Sequence, residues 1–502
     1  MKHNLLALLA GLIGALGFQP LGLWPLTILA FAALLWLIGE APRLRSALAR
    51  GWWFGVGHFT LGLNWIATAF TFQAAMPAWL GWIAVVLLSL YLAVYPAVAA
   101  GLAWRYGRRD PLALTLWFAA AWIVTEWLRA TLFTGFAWNP EGVALIGTPV
   151  ARLAAWVGTY GLSGVLVLMA GTVLLLLRRR WRSAGAIGGA VAVATALTLL
   201  APAAPPPTET AIRIVQPNIG QQDKWRPGFS DEILRRLGNL SAPGAGAPRL
   251  LLWPEAAITE PFEDGRRDPR RQEDVAFTRA QVQSLLAPGD LLLAGGITVR
   301  SADRRRATSA TNSVFAVAGG GRMLGRYDKA HLVPYGEYLP MRPILSAIGL
   351  SRLAPGDLDF DPGPGPRSLD LPLVGRIGFQ LCYEIIFSGE VVDRANRPNL
   401  IFNPSNDAWF GSWGPPQHLA QARLRALEEG LPVLRATPTG VSAVIDADGR
   451  LVDSIPSGAG VIDAQLPAPK PATLFARLGN ALPLLLALVL AAAAIAVGRR
   501  AR

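Results

Sequence analysis

The sequence contains little cysteine, lysine, histidine and charge for its length. One cysteine among 502 residues excludes an intramolecular disulfide and a cysteine-rich zinc site. Charged residues make up 16%, whereas about a quarter is usual in a soluble globular chain, and hydrophobic residues make up 52%. These proportions exclude a disordered chain and a wholly soluble one.

The excess positive charge lies in the most apolar parts of the chain. The first 200 residues contain 13 Lys and Arg against 4 Asp and Glu, and residues 477–502 contain 4 against none. Residues 201–476 contain 29 of each sign, so the net charge of +13 comes from the flanks. A nucleic-acid-binding protein concentrates positive charge on a folded domain. We therefore expect no nucleic-acid partner and interpret the basic residues as a topology signal.

Eight apolar runs predict an α-helical polytopic membrane domain. The third to sixth runs are long enough to cross a hydrocarbon core of about 30 Å, and the first two are short enough for a shallow hairpin. The first run follows Lys2 as in a signal peptide, but no Ala-x-Ala cleavage site follows it, which favours an uncleaved helix. The runs lie near residues 5–18, 24–38, 53–73, 78–103, 112–133, 156–177, 184–200 and 478–498.

Every second loop between these runs is basic. Basic loops stay in the cytoplasm, so the pattern predicts cytoplasmic termini, with residues 134–155 and 201–477 outside. In a Gram-negative cell, the outer side of the inner membrane is the periplasm. The basic residues are Lys2; Arg43, Arg45 and Arg50; Arg105, Arg108 and Arg109; Arg178, Arg179, Arg180 and Arg182; and Arg499, Arg500 and Arg502.

The chain divides into four predicted regions. Residues 1–200 form a membrane domain of seven helices, residues 201–210 a proline-rich linker, and residues 211–476 a soluble domain. Residues 477–502 add a last spanning helix and a basic tail. Strand patterns alternate with helical patterns in the soluble domain, which predicts an α/β sandwich. The strands are Ile212–Gln216, Leu250–Trp253, Leu291–Ile297, Ser313–Val317, Arg376–Leu381, Leu400–Asn403, Val433–Ala436 and Ser442–Asp446, and the helices are 229–239, 271–286 and 416–429.

Three polar residues follow predicted β runs of the soluble domain. They are Glu255, Lys329 and Cys382. Ligands bind at strand ends in α/β folds, although each residue alone has an ordinary alternative as a capping or solvated glutamate, a surface lysine or a buried cysteine. The chain has 4 Lys against 42 Arg, so a retained lysine suggests a role for a compact ammonium group.

The remaining candidates are weaker. The four histidines include no i,i+4 pair for a metal, and we predict no metal or nucleotide site. A cysteine–histidine protease dyad through His331 or His418 stays open. Glu126 and Arg129 form either a functional intramembrane pair or a structural i,i+3 pair. Residues 319–321, all glycine, predict a hairpin turn.

Glu, Lys and Cys in this order and context resemble the nitrilase superfamily, and with the membrane spans and further motifs the chain resembles the apolipoprotein N-acyltransferase family over nearly its whole length. Two stretches depart from the family pattern. Asn139-Pro140-Glu141 is more polar than expected after Trp138, which would alter the lipid route, and Pro438 stands where relatives often have Asn. The matching motifs are Glu126-Trp127-Leu128-Arg129, Phe133-Thr134-Gly135-Phe136, Gln216-Pro217-Asn218, Trp253-Pro254-Glu255, Tyr327-Asp328-Lys329, Pro334-Tyr335-Gly336-Glu337-Tyr338-Leu339-Pro340, Cys382-Tyr383-Glu384, Ser405-Asn406-Asp407-Ala408-Trp409-Phe410-Gly411, Gln417-His418 and Arg435-Ala436-Thr437.

The resemblance implies a nitrilase-like αββα sandwich and a particular reaction. An acyl chain moves from a phospholipid, typically phosphatidylethanolamine, through a cysteine thioester to the N-terminal amine of a diacylglyceryl-cysteine lipoprotein. No cofactor is implied, and we expect a monomer. The implied roles are nucleophile for Cys382, general base for Glu255, transition-state stabiliser for Lys329, second essential carboxylate for Glu337, support for Trp225, Tyr383 and Glu384, and lipid contact for Trp138, Tyr335, Met341 and Ile344.

This chemistry suits these residue types. A carboxylate moves protons between thiol, glycerol oxygen and amine, while Lys329 and a backbone N–H just after Cys382 bind the oxyanion. The apolar segment 341–350 is either a core-packed helix or a membrane-dipping arm over the cleft. A membrane-tethered amidase with the same triad and a transporter with an outer binding domain remain alternative functions.

Overall fold

The structure is a computed structural model that describes residues 1–72, 77–242, 248–347 and 358–500. Three predicted features reach beyond these ranges. Residues 73–76 of a short loop, residues 348–350 of the apolar segment and Arg502 of the basic tail lie outside the described residues.

The described residues among the first 200 are mainly helical, as the apolar runs predict. Among the described residues, five helical segments are long and apolar enough to cross a membrane: Leu80–Gly107, Pro111–Thr131, Pro149–Leu177, Trp181–Leu199 and Ala481–Arg500. The apolar helices Lys2–Ala15 and Trp24–Gly39 are shorter. The helices of this part are α1 (Lys2–Ala15), α2 (Trp24–Gly39), α3 (Leu44–Gly62), α4 (Ile66–Ala69), α5 (Leu80–Leu92), α6 (Val94–Gly107), α7 (Pro111–Thr131), α8 (Ala154–Leu177) and α9 (Trp181–Leu199).

The third predicted span is wrong in its boundaries. Helix α3 begins nine residues before the apolar run and ends at Gly62, so Arg45 and Arg50 lie in a helix rather than in a loop. Arg50 is buried and donates to the carbonyl oxygen of Leu37. At Gly51 a Cβ would lie 2.6 Å from the carbonyl oxygen of Pro96, so α6 approaches the backbone of α3 closely. The part of α3 before the predicted apolar run is therefore packed against its neighbours.

The described part of the soluble domain forms two β-sheets. One has the order β13-β1-β2-β4-β5-β6, with β3 beside β4, and the other has the order β12-β11-β10-β9-β8-β7. All eight predicted strands are present, and residues 319–321 lie in the β5–β6 turn. The strands are β1 (Ala211–Gln216), β2 (Arg249–Leu252), β3 (Pro261–Asp264), β4 (Leu291–Arg300), β5 (Ser309–Ala318), β6 (Met323–Asp328), β7 (Ser368–Leu371), β8 (Gly375–Phe379), β9 (Leu400–Pro404), β10 (Val433–Ala436), β11 (Ser442–Ile445), β12 (Leu451–Ile455) and β13 (Gly460–Gln465).

Helices cover both outer faces of the sheets. Apolar side chains of the two sheets, among them Leu252 and Phe402, form the buried layer between them. Helices α11 and α12 cover the first sheet and α14 covers the second, which makes the αββα layers that we predicted. The helices are α10 (Gln221–Lys224), α11 (Ser230–Ser241), α12 (Pro269–Ser284), α13 (Arg342–Ala347), α14 (Gly414–Glu429), α15 (Leu474–Leu478) and α16 (Ala481–Arg500).

Helix α14 joins the two parts of the molecule. Its apolar side chains belong to one hydrophobic cluster that also contains the outer face of the second sheet and the helices of the first 200 residues. A carboxylate oxygen of Glu428 accepts bonds from the backbone N–H and the hydroxyl of Thr159 at 2.6 and 2.7 Å. The indole of Trp138 donates to Gln417 at 2.8 Å. The sheets are therefore anchored by packing as well as by the extended residues 201–210.

The polar departure after Trp138 forms a buried cluster. Glu141 lies 2.8 Å from the imidazole of His58, and its backbone N–H donates to Glu126 at 2.8 Å. Arg129 donates to the carbonyl oxygen of Trp138 at 2.9 Å and lies 3.9 Å from Glu126. These contacts support the structural interpretation of the Glu126–Arg129 pair, because both side chains hold the 133–141 loop.

Candidate active site

The three predicted catalytic residues meet at one edge of the sandwich. Strand β2 leads into Glu255, β6 into Lys329 and β8 into Cys382. The neighbours of β2 and β8 include parallel strands, whose carboxyl ends share an edge. The exposed fractions are 6% for Glu255, 1% for Lys329 and 5% for Cys382. The site is thus nearly closed to water.

A second carboxylate, that of Glu337, also contacts the ammonium of Lys329. The Lys329 ammonium lies 3.0 Å from an oxygen of Glu337 and 3.4 Å from an oxygen of Glu255. The side-chain amide of Asn312 donates to the same two carboxylate oxygens, at 2.7 Å to Glu255 and 3.0 Å to Glu337. A backbone N–H of Val333 donates to the other oxygen of Glu337 at 2.8 Å. These bonds hold both carboxylates around one cation.

Electrostatics assigns the protons in this cluster. Burial raises the pKa of Glu255, but Lys329 and Lys224 outweigh it and hold that pKa below its usual value. Burial lowers the pKa of Lys329, but Glu337 and Glu255 outweigh it and raise that pKa. Burial, and then Glu255, raise the pKa of the Cys382 thiol well above its usual value. At neutral pH the site therefore holds a carboxylate, an ammonium and a thiol.

Cys382 has an unusual backbone conformation. Its φ of +50° lies in the left-handed region, which costs a non-glycine residue about 1–3 kcal/mol. It begins a 3₁₀-helix from Cys382 to Ile386, and the charge of Glu255 acts directly on its thiol by raising the thiol pKa. The chain therefore changes from strand β8 to a helix within three residues at the nucleophile.

Glu384 organises the backbone around the nucleophile. One of its oxygens accepts bonds from the backbone N–H groups of Ala330 and His331 at 2.7 and 3.0 Å, and the other accepts from Leu381 N–H at 2.7 Å. The hydroxyl of Tyr327 donates to both oxygens, at 3.0 and 3.2 Å. The segments that carry Lys329 and Cys382 are thus tied to one carboxylate.

The other supporting residues lie on different sides of the site. Tyr383 is buried, and its hydroxyl donates to the carbonyl oxygen of Gly135 at 3.3 Å. This bond joins the nucleophile segment to the loop after α7. Trp225 is 40% exposed at the end of α10. Pro438, the second departure, accepts a bond at its carbonyl oxygen from Ile219 N–H at 3.1 Å, so the backbone bridges two loops there.

The predicted lipid contacts divide into two groups. Trp138 is fully buried and packs against Trp65 and His418, which is not the lipid-facing position that we predicted. Met341 and Ile344 are 64% and 63% exposed, and Tyr335 is also exposed. Helix α13 has no buried residue, so the described part of segment 341–350 is not a core-packed helix. Its exposed apolar side chains favour the arm interpretation.

Sequence reasoning missed two polar residues of the site. Lys224 is buried, and its ammonium donates to the backbone carbonyl oxygen of Glu255 at 2.9 Å. Burial lowers the pKa of Lys224 to about 8, although Glu255 and Cys382 partly oppose this. The rarity of lysine was a usable signal for Lys224. Asn312 lay just outside a predicted apolar strand, so no pattern distinguished it.

The histidines do not form a dyad with the thiol. The imidazole of His418 lies 3.0 Å from the backbone carbonyl oxygen of Cys382, and that of His331 lies 3.0 Å from the carbonyl oxygen of Thr134. Among the described residues, no cluster of three or more His, Cys, Asp or Glu side chains is suited to a metal ion.

An αββα sandwich with Glu, Lys and Cys at one strand edge defines a nitrilase-type domain, here joined to membrane helices. Family models agree: residues 212–470 match the carbon-nitrogen hydrolase family, and residues 10–172 match the apolipoprotein N-acyltransferase N-terminal domain. Solved structures of this superfamily are similar over about half of the chain. An amidase from Nesterenkonia is 18% identical, with a TM-score of 0.38 over 53% of this chain and 94% of that one.

Full-length relatives extend the match to both parts of the molecule. The apolipoprotein N-acyltransferase of Rhodopseudomonas palustris is 36% identical over 95% of this chain and 92% of its own length. That of Caulobacter vibrioides is 37% identical over 96% of this chain and 92% of its own length. The chain belongs to the apolipoprotein N-acyltransferase family of the nitrilase superfamily.

Proposed function

We propose that this protein is a phospholipid:apolipoprotein N-acyltransferase. It moves an acyl chain from a phospholipid, through a thioester on Cys382, to the N-terminal amine of a diacylglyceryl-cysteine lipoprotein. One observation carries the proposal: a buried Glu255–Lys329–Cys382 cluster lies in a domain that shares its hydrophobic core with membrane helices. Both substrates are lipids, and extracting an acyl chain from a bilayer costs about 0.8 kcal/mol per CH₂. A membrane-anchored site avoids that cost.

The first half-reaction forms the thioester. Glu255 takes the thiol proton as the sulfur of Cys382 attacks the ester carbonyl carbon, and the carbonyl oxygen becomes an oxyanion. Lys329 and a backbone N–H after the cysteine stabilise that charge. The carbon–oxygen bond to glycerol then breaks, and the leaving oxygen takes the proton from Glu255. A lysophospholipid departs.

The second half-reaction uses the same groups in a new order. The neutral amine of the lipoprotein attacks the thioester carbonyl carbon, and Glu255 takes a proton from the nitrogen. The carbon–sulfur bond breaks, and the sulfur of Cys382 recovers a proton from Glu255. The product is an amide, and the site returns to its thiol and carboxylate state, which is a ping-pong cycle.

The surrounding residues have supporting roles in this proposal. Glu337 keeps Lys329 charged, Glu384 holds the segments of the lysine and the cysteine together, and Tyr383 ties the nucleophile to the loop after α7. Trp225 borders the site. Tyr335, Met341 and Ile344 contact the acyl donor, because their exposed apolar surfaces need a lipid rather than water.

The topology follows the charge pattern. The chain has eight spans, with the first two shallow, in the bacterial inner membrane. Both termini lie in the cytoplasm and the nitrilase-type domain lies in the periplasm, because the basic loops stay inside. The acyl donor is phosphatidylethanolamine, and the working unit is a monomer.

Intact mass spectrometry tests the proposal. The purified protein is incubated with a defined phosphatidylethanolamine beside a Cys382→Ala variant. We expect an added acyl mass on the wild type alone, which hydroxylamine and a diacylglyceryl-cysteine peptide each remove. Release of free fatty acid or ammonia without an adduct would instead support the tethered amidase. Inactivity in both assays would return the transporter to consideration and leave Cys382 a structural residue.

A further inference from the structure

Helix α14 holds the peptide group that follows the nucleophile. The Nε2 atom of His418 lies 3.0 Å from the backbone carbonyl oxygen of Cys382. A carbonyl oxygen only accepts hydrogen bonds, so Nε2 carries a proton and donates it. The ring of His418 is fully buried between Cys382 and the 407–410 turn, where water does not compete for this bond.

Two charged side chains fix the other nitrogen of the ring. The Nδ1 atom of His418 lies 3.0 Å from a nitrogen of Arg435 and 3.0 Å from an oxygen of Asp407. Arg435 also donates to Asp407 at 2.6 and 2.7 Å, so the three side chains form one buried unit. Burial, and then Arg435, lower the pKa of His418, which favours the neutral ring. Nδ1 then accepts from Arg435, and the proton stays on Nε2.

The held carbonyl determines where the next N–H points. In a trans peptide the C=O of one residue and the N–H of the next lie in one plane and point in opposite directions. Cys382 O and Tyr383 N–H belong to the same peptide group. Tyr383 also lies in the first turn of the 3₁₀-helix, where an N–H has no intrahelical acceptor. A bond from His418 to one end of this peptide therefore aims its free donor at the opposite side.

We propose that His418 is a positioning residue that orients the Tyr383 backbone N–H as an oxyanion donor. The inference rests on the proposed acyl transfer, in which an oxyanion forms beside Cys382. Asp407 and Arg435 hold the imidazole, and the imidazole holds the peptide. The bond from His418 is needed because Cys382 has a left-handed φ of +50°. Without the bond, a residue in that conformation would relax and rotate the peptide group.

A pair of substitutions separates this role from general support. His418→Gln places an amide nitrogen near the position of Nε2, whereas His418→Asn reaches only as far as Nδ1. For each purified protein we would measure single-turnover acylation by phosphatidylethanolamine and alkylation of the thiol by iodoacetamide. Alkylation forms no oxyanion, so it reports the thiol alone. Removing one oxyanion donor slows acyl transfer by about 100-fold or more.

We expect His418→Asn to lose about 100-fold in acylation while its alkylation rate stays near that of the wild type, and His418→Gln to keep most of its acylation. Equal losses of acylation and alkylation in His418→Asn, or an unchanged acylation rate, would overturn the proposal. A wild type that is alkylated but never acylated would instead contradict the proposed function.

A second variant covers a failure of His418→Asn to fold. Incorporating the α-hydroxy analogue of tyrosine at position 383 replaces the N–H by an ester oxygen and leaves every side chain in place. We expect the same selective loss of about 100-fold in acylation. Acylation at the wild-type rate in this ester variant would overturn the assignment of Tyr383 N–H as the donor.

Discussion

The ammonium of Lys329 lies closer to Glu337 than to Glu255, at 3.0 Å against 3.4 Å. All three side chains are buried, where an unpaired ammonium is strongly disfavoured. Glu337 therefore keeps the lysine charged, and Glu255 remains available to accept the thiol proton. A single carboxylate would have to keep the lysine charged and also accept the thiol proton.

Glu337→Gln tests this division of labour. Removing the closer carboxylate lowers the pKa of Lys329 and draws its ammonium toward Glu255, which weakens both the base and the oxyanion contact. We expect thioester formation to slow by about 100-fold with the fold retained, measured by intact mass spectrometry and thermal unfolding. The exposed Glu209→Gln is the matched control. Normal acylation in Glu337→Gln would refute the role.

Glu384→Gln should destabilise the protein. Each oxygen of Glu384 accepts backbone N–H bonds, so an amide NH₂ would face a donor on whichever side it lies. We expect a loss of about 1–3 kcal/mol in unfolding free energy, seen as a lower midpoint of thermal unfolding in detergent. Glu273→Gln, on an exposed turn of α12, gives the baseline. An unchanged midpoint would mean that the amide finds other partners.

Lys224 sets an alkaline limit on thioester formation. Burial lowers its pKa to about 8, so its ammonium is present below that pH and is lost as the pH rises through it. The Lys224 ammonium offsets negative charge on Glu255 and on the oxyanion. Because this positive charge is lost, we expect the acylation rate to fall above pH 8. Single-turnover rates on both sides of pH 8 measure this before any acceptor amine is added.

Lys224→Arg separates this charge from other alkaline effects. A guanidinium stays protonated far above pH 8, so the decline should move to higher pH. Lys224→Met should instead be slow at every pH, because it has no charge to lose. The same decline in the wild type and in Lys224→Arg would assign the alkaline limit to another group.

Met341 and Ile344 should act on substrate binding rather than on chemistry. Both are more than 60% exposed, Met341 just before α13 and Ile344 on it, so replacing them with serine removes apolar surface without opening a core. We expect the double variant to raise the KM for phospholipid by about 10-fold with kcat unchanged. Phe277→Ser, which removes a side chain that is 64% exposed on α12, is the matched control. A KM equal to that of the control would contradict the arm interpretation.

Regular sequence patterns predicted much of the fold. Apolar length marked the membrane helices, and β runs of the soluble domain marked all eight strands that we predicted. Strand β6 was predicted only as the β run before Lys329, and β3, β7, β12 and β13, which lie at sheet edges or beside the main order, were not predicted. Edge strands are partly exposed, so they lack the continuous apolar run that identifies a buried strand.

The sequence by itself determined the membrane class of the protein, the α/β sandwich and the positions of Glu255, Lys329 and Cys382 at strand ends. Tertiary structure alone decided which other groups meet them. Asn312 and Lys224 approach from a different strand and a short helix, and His418 approaches from α14. Strand order and helix packing bring these residues together from far along the chain. Local periodicity in the sequence does not report contacts between residues that are distant in sequence. For the same reason, the burial of Trp138 and Arg50 became visible only once the helices were packed.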